Sequence, residues 1–583
     1  MRSIPRSAPV PLFTCLLILP LLCASCVRAG RVEQADLVLT NCRVYSLAWP
    51  APGTDGAPAG GAPHDASGWH PDAEAVAARA GKIVFVGSAS EAEKYAGPDT
   101  RRVDLQGATV IPGLIESHVH VVDLGQGLSR IDLRGIDTEE AIVARVRAAA
   151  EKIPRGQWIE GYGWDEGAWA SRLPDMELLS REVPEHPVYL KGLHGFSVWG
   201  NRMAFERAGI NTRTPSPEGG EIRKDRRGNP TGILTNTAVR LLEAAIPPPT
   251  VEQIQGFVLN GLNALADAGY VCIHEAGADA DSMKAFEGLE EEEKLPLRVY
   301  AMLAARDETL MQAWLKKGPD RQIDRMLVTR SVKVFYDAAL GSRGALLIED
   351  YSDQPGHRGV GGRDYGFNAD LMAQVMKAGF QLVVHAIGDA ANRQTLDFFE
   401  SIFRADPAAA GNRNRIEHAQ VLHPDDIPRF ARLGIIASMQ PPHAVEDMPW
   451  AEERLGPQRV RYAYAWRSVA SAGTHLAFNS DLPGSDYSIF YGLHSAITRR
   501  DKQGKPDGGW HAEQCLSPEQ ALRAYTQGGA YAAFMENETA TLAPGKWADI
   551  TVMDIDPLNI GEKDPERLLQ GKILMTVVAG KFR

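Results

Sequence analysis

The middle of the chain repeats a pattern in which a short apolar run is followed by a longer stretch with helical spacing. Continuous apolar runs are typical of strands buried on both faces of a parallel sheet. Eight such runs alternating with helices predict an α/β fold, a (β/α)8 TIM-like barrel. The predicted barrel strands are residues 114–120, 270–274, 297–303, 331–336, 381–385, 415–418, 435–439 and 475–481.

Strand patterns of another kind stand at the two ends of the chain, at residues 35–41, 76–87, 544–554 and 573–582. Because the barrel separates these ends, they predict one discontinuous β-sandwich domain built from residues 33–112 and 540–583. A Pro/Gly-rich loop at 49–73 interrupts the domain. We expect this loop to be exposed to solvent and partly disordered.

The barrel is predicted to comprise residues 113–123 and 259–539. The gap between its first and second strands is far too long for one crossover helix. Residues 124–258 must therefore form an inserted subdomain. An insertion after the first strand overhangs the C-terminal mouth of the barrel, where it can act as a lid and contact the substrate.

Residues 1–26 predict an export signal, because a basic start precedes a short apolar run that ends in small residues. Ser25-Cys26 resembles a bacterial lipobox, in which the cysteine is lipidated, although Cys23 stands where leucine is usual. We expect an exported bacterial protein, periplasmic or attached to the membrane as a lipoprotein through Cys26. The sequence leaves lipidation and plain signal cleavage both open.

Composition narrows the class of partner. The 583 residues carry a formal net charge of −12 without a long basic run, which argues against a nucleic-acid partner and leaves a small-molecule substrate. Beyond the signal only Cys42, Cys272 and Cys515 remain, too widely spaced for a disulfide framework or a thiolate metal cluster. For the oligomeric state we expect a homodimer, the commonest assembly.

Polar side chains suited to metal binding follow the predicted barrel strands in order: His118, His120, Lys333, His385, His418 and Asp481. Side chains alternate along a strand, so His118 and His120 point to the same side. At the mouth of a barrel that side is the active site, and imidazole with carboxylate suits zinc. One histidine at a strand end is usually a packed side chain, but the ordered set indicates a metal-dependent hydrolase.

Several motifs carry a resemblance to a known family: residues 110–120 (VIPGLIESHVH), 332–343 (VKVFYDAALGSR), 385–389 (HAIGD), 415–420 (RIEHAQ), 479–483 (NSDLP) and 542–550 (LAPGKWADI). In order and spacing they resemble the amidohydrolase superfamily, and more narrowly its amidohydrolase-3 (YtcJ-like) branch. The resemblance covers nearly all of the chain after residue 33. Glu116 stands where many members have aspartate, at a position that is not a ligand.

The resemblance implies that those six residues bind one or two zinc ions. A buried lysine beside a cation shifts towards the neutral amine, which can react with CO2 to form a bridging carbamate. It therefore implies that Lys333 is carboxylated, with a structural salt bridge as the alternative. It also implies hydrolysis of an amide, cyclic amide, N-acyl or N-formyl bond by metal-activated hydroxide, with Asp481 as general base and then acid.

Substrate contacts are predicted for five further residues: His194, Arg343, Asp165, Trp164 and His443. His194 resembles a family histidine beside the pocket, and Arg343 follows a turn after the fourth strand; the alternative for both is loop scaffolding. Trp164 and Asp165 can equally be core and turn residues of the insert. His443 ends the seventh strand at a rim position.

Two kinds of alternative remain. Within the fold, a mononuclear deaminase would use a His-x-x-Glu motif after the fifth strand, whereas His385 is followed by Ala-Ile-Gly-Asp; an ester or lactone hydrolase could share the same metal centre. Outside enzymes, the chain could be a non-catalytic binding lipoprotein. That role predicts a broken ligand set, and no ligand is missing.

Overall fold

The computed structural model describes residues 33–136, 138–164, 174–193 and 196–583. Its central feature is an eight-stranded parallel sheet whose strands pair in chain order: Leu114–Val119, Tyr270–Ala278, Arg298–Ala304, Leu327–Phe335, Gln381–Ala386, Arg415–His418, Ile436–Met439 and Leu476–Phe478. A bridge between Val119 and Leu482 joins the first strand to the segment after the eighth, so the barrel is nearly closed. The predicted TIM-like barrel is confirmed.

The eighth strand differs most from the sequence prediction. It ends at Phe478 instead of reaching Asp481. Asp481 has a φ of 54°, in the left-handed region where a strand cannot continue. This turn places the Asp481 carboxylate at the barrel mouth beyond the last strand.

Helices follow the strands around the barrel. They include Val121–Ser129, Val251–Asp267, Ala280–Glu291, Glu308–Lys317, Ala369–Lys377, Asp389–Ala405, Ile427–Leu433, Pro441–Arg459, Trp466–Ser471, Ile489–Thr498, Pro518–Arg523, Gly529–Ala532 and Pro557–Lys563. The main apolar core lies within the barrel and between its strands and these helices.

Strands from both ends of the chain form two smaller sheets beside the barrel. One contains Lys82–Gly87, Ala75–Arg79, Leu37–Thr40 and Arg101–Asp104; the other contains Arg43–Val44, Thr109–Pro112, Ile550–Met553, Ile573–Val578 and Lys581–Phe582. A shared apolar cluster holding Leu39, Val76, Val110 and Val552 joins the two sheets as a sandwich. The short helix Ala89–Ala92 covers the first sheet.

Most residues of the Pro/Gly-rich loop at 49–73 are exposed, as its composition predicts, but two tryptophans anchor the loop to the core. Trp49 and Trp69 are buried in the main core, and Trp49 Nε1 donates to Glu519 Oε1 at 2.7 Å. A two-stranded hairpin, His64–Asp65 with Gly68–Trp69, lies within it. The two indoles anchor the loop because they bury far more apolar surface than its small residues do.

The insert after the first barrel strand contains a six-stranded sheet of Ile131–Asp132, Ile159–Trp164, Val188–Gly192, Ser197–Gly200, Pro230–Asn236 and Gly220–Lys224. Apolar clusters lie on its two faces, with helices Glu139–Ala150, Met176–Glu182, Arg202–Arg207 and Val239–Glu243. Its role as a lid stays a prediction, as do the exact domain boundaries.

Within the described residues, no helix is both long and apolar enough to span a membrane. Cys42, Cys272 and Cys515 are free thiols. The predicted signal segment and Cys26 lie outside the described residues.

Candidate metal centre and active site

The fold brings ligand atoms from the first, sixth and eighth strand ends together. His118, His418 and Asp481 each offer an atom within 4.8 Å of the others. Nε2 of His118 lies 3.3 Å from Oδ1 of Asp481, and Nε2 of His120 lies 3.6 Å from the same oxygen. The two imidazoles of the His-x-His strand therefore converge on one carboxylate, as strand alternation predicts.

Lys333 and His385 complete the cluster from the fourth and fifth strands. Nζ of Lys333 lies 3.1 Å from Nε2 of His118, and the rings of His385 and His418 are 4.3 Å apart. Nε2 of His385 is buried without a hydrogen-bond partner among the described residues. All six sequence-predicted ligands meet at this point; they are called the ligand set below.

Backbone strain marks two members of the ligand set. His418 has a φ of 72° and Asp481 a φ of 54°, both in the left-handed region that non-glycine residues rarely adopt. The loop before Asp481 is held by Glu116, whose Oε1 accepts the Ser480 N–H at 2.8 Å. Such strain persists only where the surroundings enforce it, and it clusters at functional sites.

Burial tunes the ionisation of the ligand set towards metal binding. It lowers the pKa of His120 and His385 to about 3, and that of His118 well below its usual value, with the Lys333 charge as the next cause. Burial also lowers the pKa of Lys333 to about 8 and raises that of Asp481 to about 6. The imidazoles are thus neutral with free lone pairs, and a cation would satisfy the buried carboxylate.

The donor set therefore fits a zinc ion. Neutral imidazole nitrogens and a carboxylate oxygen are ligands that Zn²⁺ prefers, and the orphaned Nε2 of His385 needs a partner. A bare Lys333 ammonium would repel the cation, whereas its neutral amine or carbamate would not.

A buried ionic network lies behind His118. Glu417 Oε2 is 2.5 Å from Nδ1 of His118, and its Oε1 accepts from Nε of Arg415 at 2.8 Å. Arg415 also donates to the Ser117 carbonyl at 2.7 Å and contacts Nδ1 of His274 at 3.0 Å. This network fixes the tautomer of His118, as partners behind metal-bound histidines do.

His418 has an equivalent support on the seventh-strand side. Its Nδ1 lies 3.0 Å from Oε1 of Gln440, so the neutral ring donates there and turns Nε2 towards the ligand set. Gln440 in turn donates to Oδ1 of Asn479 at 2.8 Å, and Asn479 donates to Ser438 at 3.0 Å. The chain of amides holds His418 from behind.

The His385-Ala-Ile-Gly-Asp motif holds the loop after the fourth strand. Asp337 accepts the backbone N–H groups of Ile387, Gly388 and Leu346, each at 2.9 Å. A Cβ on Gly388 would lie 1.9 Å from the Leu346 carbonyl oxygen, which only glycine avoids. The glycine therefore permits the contact that fixes the end of the His385 strand.

A cavity of about 670 Å³ opens onto the ligand set at His120 and Lys333. Its wall from the second and third strands carries Glu275 and Arg306, and its other wall is apolar, with Val334, Phe335, Leu371 and Met372. Glu275 accepts the Val121 N–H at 2.7 Å, and burial raises its pKa to about 8. The cavity has the size and mixed polarity of a small-molecule site.

The five residues that were predicted to contact the substrate lie in different surroundings. His443 lies on the helix Pro441–Arg459 instead of at the end of the seventh strand, and its ring is parallel to that of His418 at 6.4 Å. Arg343 is engaged by Asp353, to which it donates at 3.1 and 2.7 Å. Trp164 is fully buried in the core of the insert and donates to the Leu190 carbonyl at 2.8 Å, which corresponds to the core alternative. His194 and Asp165 lie outside the described residues.

Sequence reasoning did not single out Glu417, Arg415, Gln440 or Glu275. A signal existed for the first two, since Arg415–His418 places two charged residues in a strand that is wholly buried. Buried charges need partners, so each charge in such a strand indicates a network. For Gln440 and Glu275 no comparable signal exists, because polar residues at strand ends are common.

Three comparisons place this geometry among known proteins. Residues 101–583 match the model of the amidohydrolase family. YtcJ of Bacillus subtilis (strain 168) is 32% identical over 522 residues, which cover 87% of this chain and 95% of YtcJ. N-substituted formamide deformylase of Arthrobacter pascens is 26% identical over 529 residues, which cover 88% and 95% of the two chains.

A solved structure supports the same assignment of the fold. The crystal structure of an uncharacterized metal-dependent hydrolase from Pyrococcus furiosus superimposes with a TM-score of 0.69 at 26% identity. The match covers 90% of this chain and 99% of that chain. The similarity therefore includes the sandwich and the insert as well as the barrel.

Proposed function

This chain belongs to the amidohydrolase family and is a metal-dependent hydrolase of carbon–nitrogen bonds; on that premise we propose that it is a zinc enzyme that cleaves amide, cyclic amide or N-acyl and N-formyl bonds. The convergence of the ligand set at one barrel mouth is the observation that carries the proposal. The similarity to the deformylase supports the N-formyl class.

In this proposal His118, His120, His385, His418 and Asp481 hold the metal. Zinc supplies Lewis acidity, which lowers the pKa of water to about 7 and polarises a carbonyl. Asp481 accepts the proton of the attacking water and returns it to the leaving nitrogen. Its pKa of about 6, raised by burial, suits a group that takes up and releases a proton near neutral pH.

We propose that Lys333 is carboxylated, so that its carbamate oxygens would help the ligand set to hold one or two metal ions. Burial is the main cause that lowers its pKa to about 8, so part of the lysine is a neutral amine that can attack CO2 at Nζ. The new N–C bond and the loss of one proton give a carbamate, and the buried cationic charge disappears. The distance of 3.1 Å between Nζ of Lys333 and Nε2 of His118 supports this role.

Metal content and turnover test the proposal together. Wild type, Lys333→Ala and the exposed control Lys316→Ala are loaded with zinc and measured by plasma mass spectrometry and by amine release from simple formamides and amides. We expect two zinc ions in wild type and in the control, one or none in Lys333→Ala, and loss of turnover in that variant and after chelation. Zinc-free, fully active wild type would contradict the proposal.

The cellular location is proposed from the N-terminal sequence alone. We propose that the chain is exported and attached to a bacterial membrane through lipidated Cys26, and that the mature protein is a homodimer. Expression of wild type and Cys26→Ala in a bacterium, followed by membrane fractionation and mass spectrometry of the N-terminus, tests the anchor. Light scattering of the mature protein tests the dimer, and a monomeric mass would exclude it.

A further inference from the structure

Arg306 stands at the barrel mouth with a firmly held backbone. It follows the third strand, where Ala305 donates its N–H to the Lys333 carbonyl at 3.0 Å. The next residue, Asp307, caps the helix Glu308–Lys317 by accepting the Leu310 N–H at 3.0 Å, and it also accepts the Ala280 N–H at 3.0 Å. Arg306 therefore extends from a fixed point beside the fourth strand.

Arg306 lines the cavity together with His120 and Lys333 and is exposed at its mouth. Within the described part of the chain, its guanidinium forms no ion pair and no hydrogen bond. Arginine in a cavity presents a fixed charge and a planar fork of donors, which matches a carboxylate.

Asp123 is the opposite charge on the same cavity. It lies on the helix that follows His120, and among the described residues it has no ion-pair partner within 4.0 Å. Asp279 also lines the cavity, but it is engaged as the cap of the next helix, accepting the Ser282 N–H at 2.9 Å. An anion is therefore attracted at Arg306 and repelled at Asp123, which gives the cavity a polarity.

From this arrangement we propose that Arg306 is a specificity-determining residue that anchors a free carboxylate on the substrate, so that the preferred substrates are carboxylate-bearing N-acyl or N-formyl amines. The inference rests on the proposed function, because the scissile bond must lie at the ligand set while the carboxylate pairs with Arg306. The apolar wall at Phe335, Leu371 and Met372 would accommodate the carbon chain.

The test compares charged and neutral substrates of equal length. A series of N-formyl-ω-amino acids of increasing chain length is compared with neutral N-formylalkylamines of the same lengths. The proteins are zinc-loaded wild type, Arg306→Gln, Arg306→Lys, Asp123→Asn and the surface control Arg404→Gln. We expect wild type to prefer the carboxylate at one chain length. In Arg306→Gln, kcat/KM for that substrate should fall about 10- to 100-fold with little change for the neutral partner.

Two further variants test whether charge determines the preference for the carboxylate substrate. Arg306→Lys should retain part of the preference, because it keeps the charge and loses the fork. Asp123→Asn should strengthen the preference by removing a repelling charge. Equal kcat/KM for charged and neutral substrates in wild type, unaffected by Arg306→Gln, would overturn the anchor while leaving amide hydrolysis established.

Binding without turnover separates the two proposals. The probe is the methyl-ketone analogue of the N-acetyl homologue with the best-fitting chain length, in which a methylene group replaces the amide nitrogen, and its affinity is measured by calorimetry. Tighter binding of the carboxylate than of the neutral ketone, lost in Arg306→Gln, supports the anchor even if no amide is hydrolysed. If the affinity is the same with and without the carboxylate, and does not change in Arg306→Gln, the anchor is refuted independently of catalysis.

Discussion

Glu417 accepts a hydrogen bond from Nδ1 of His118 across 2.5 Å, and this contact leaves Nε2 free to face Lys333 and Asp481. Both partners are buried, and Arg415 holds the other carboxylate oxygen. Because His118 lies on the first strand and both Glu417 and Arg415 lie on the sixth, the orientation of His118 depends on how these two strands are placed in the barrel.

Glu417→Gln should lower zinc affinity about 10- to 100-fold, since a carboxylate behind a metal-bound imidazole raises its basicity and sets its tautomer. Competition with a chromogenic chelator measures the affinity. Glu519→Gln is the matched control, because Glu519 is also buried and accepts from Arg523 at 2.9 Å but lies at Trp49, away from the ligand set. Equal zinc affinity in the two variants would contradict the role of Glu417.

Gln440→Leu should also weaken zinc binding, by about tenfold, because Nδ1 of His418 loses its acceptor and the ring can adopt the wrong tautomer. Gln440→Glu keeps an acceptor oxygen at the same position and should retain the metal. The same chelator competition distinguishes the two. A loss of similar size in both variants would show that the amide acts on Asn479 rather than on His418.

The positions of the elements could be predicted largely from apolar periodicity. The sixth strand, Arg415–His418, coincides with its prediction, and the second extends the predicted run to Ala278. The order of the ligand set could be predicted because each member follows its own apolar run. The contacts between side chains of different strands could not be predicted, because Glu417 contacts His118 although the two residues are 299 positions apart in the sequence. The exposure of the loop at 49–73 could be predicted from its composition, whereas the burial of its two tryptophans in the main core could not.

A buried ion pair joins the barrel to the sandwich. Nε of Arg298 donates to Oδ2 of Asp549 at 2.8 Å, with both side chains almost wholly buried. Asp549→Ala leaves the guanidinium without a counter-charge and should lower the free energy of unfolding by about 3–5 kcal/mol.

The midpoint of thermal unfolding measures this loss. The double variant Arg298→Met/Asp549→Leu should recover most of it, because an apolar pair of similar volume avoids the buried charge. A single variant as stable as wild type would show that solvent reaches Arg298.

Glu275 gives the metal-free protein a stability that depends on pH. Burial is the main cause that raises its pKa from 4.5 to about 8, so the folded state keeps the proton over a range in which the unfolded state has lost it. Stability therefore decreases as the pH rises from about 4.5 to 8. Glu275→Gln mimics the protonated carboxyl, can still accept the Val121 N–H, and removes this dependence.

We expect metal-free Glu275→Gln and wild type to unfold at similar temperatures at pH 5, and the variant to unfold at a higher temperature at pH 8. Glu290→Gln is the control, since Glu290 is a half-buried carboxylate on a helix that follows the same strand and is paired with Arg325. If the wild-type and Glu275→Gln melting curves shift in parallel between the two pH values, Glu275 is already ionised in the folded state. In that case its charge would have to be balanced by Lys333, whose positive charge acts to lower the pKa of Glu275.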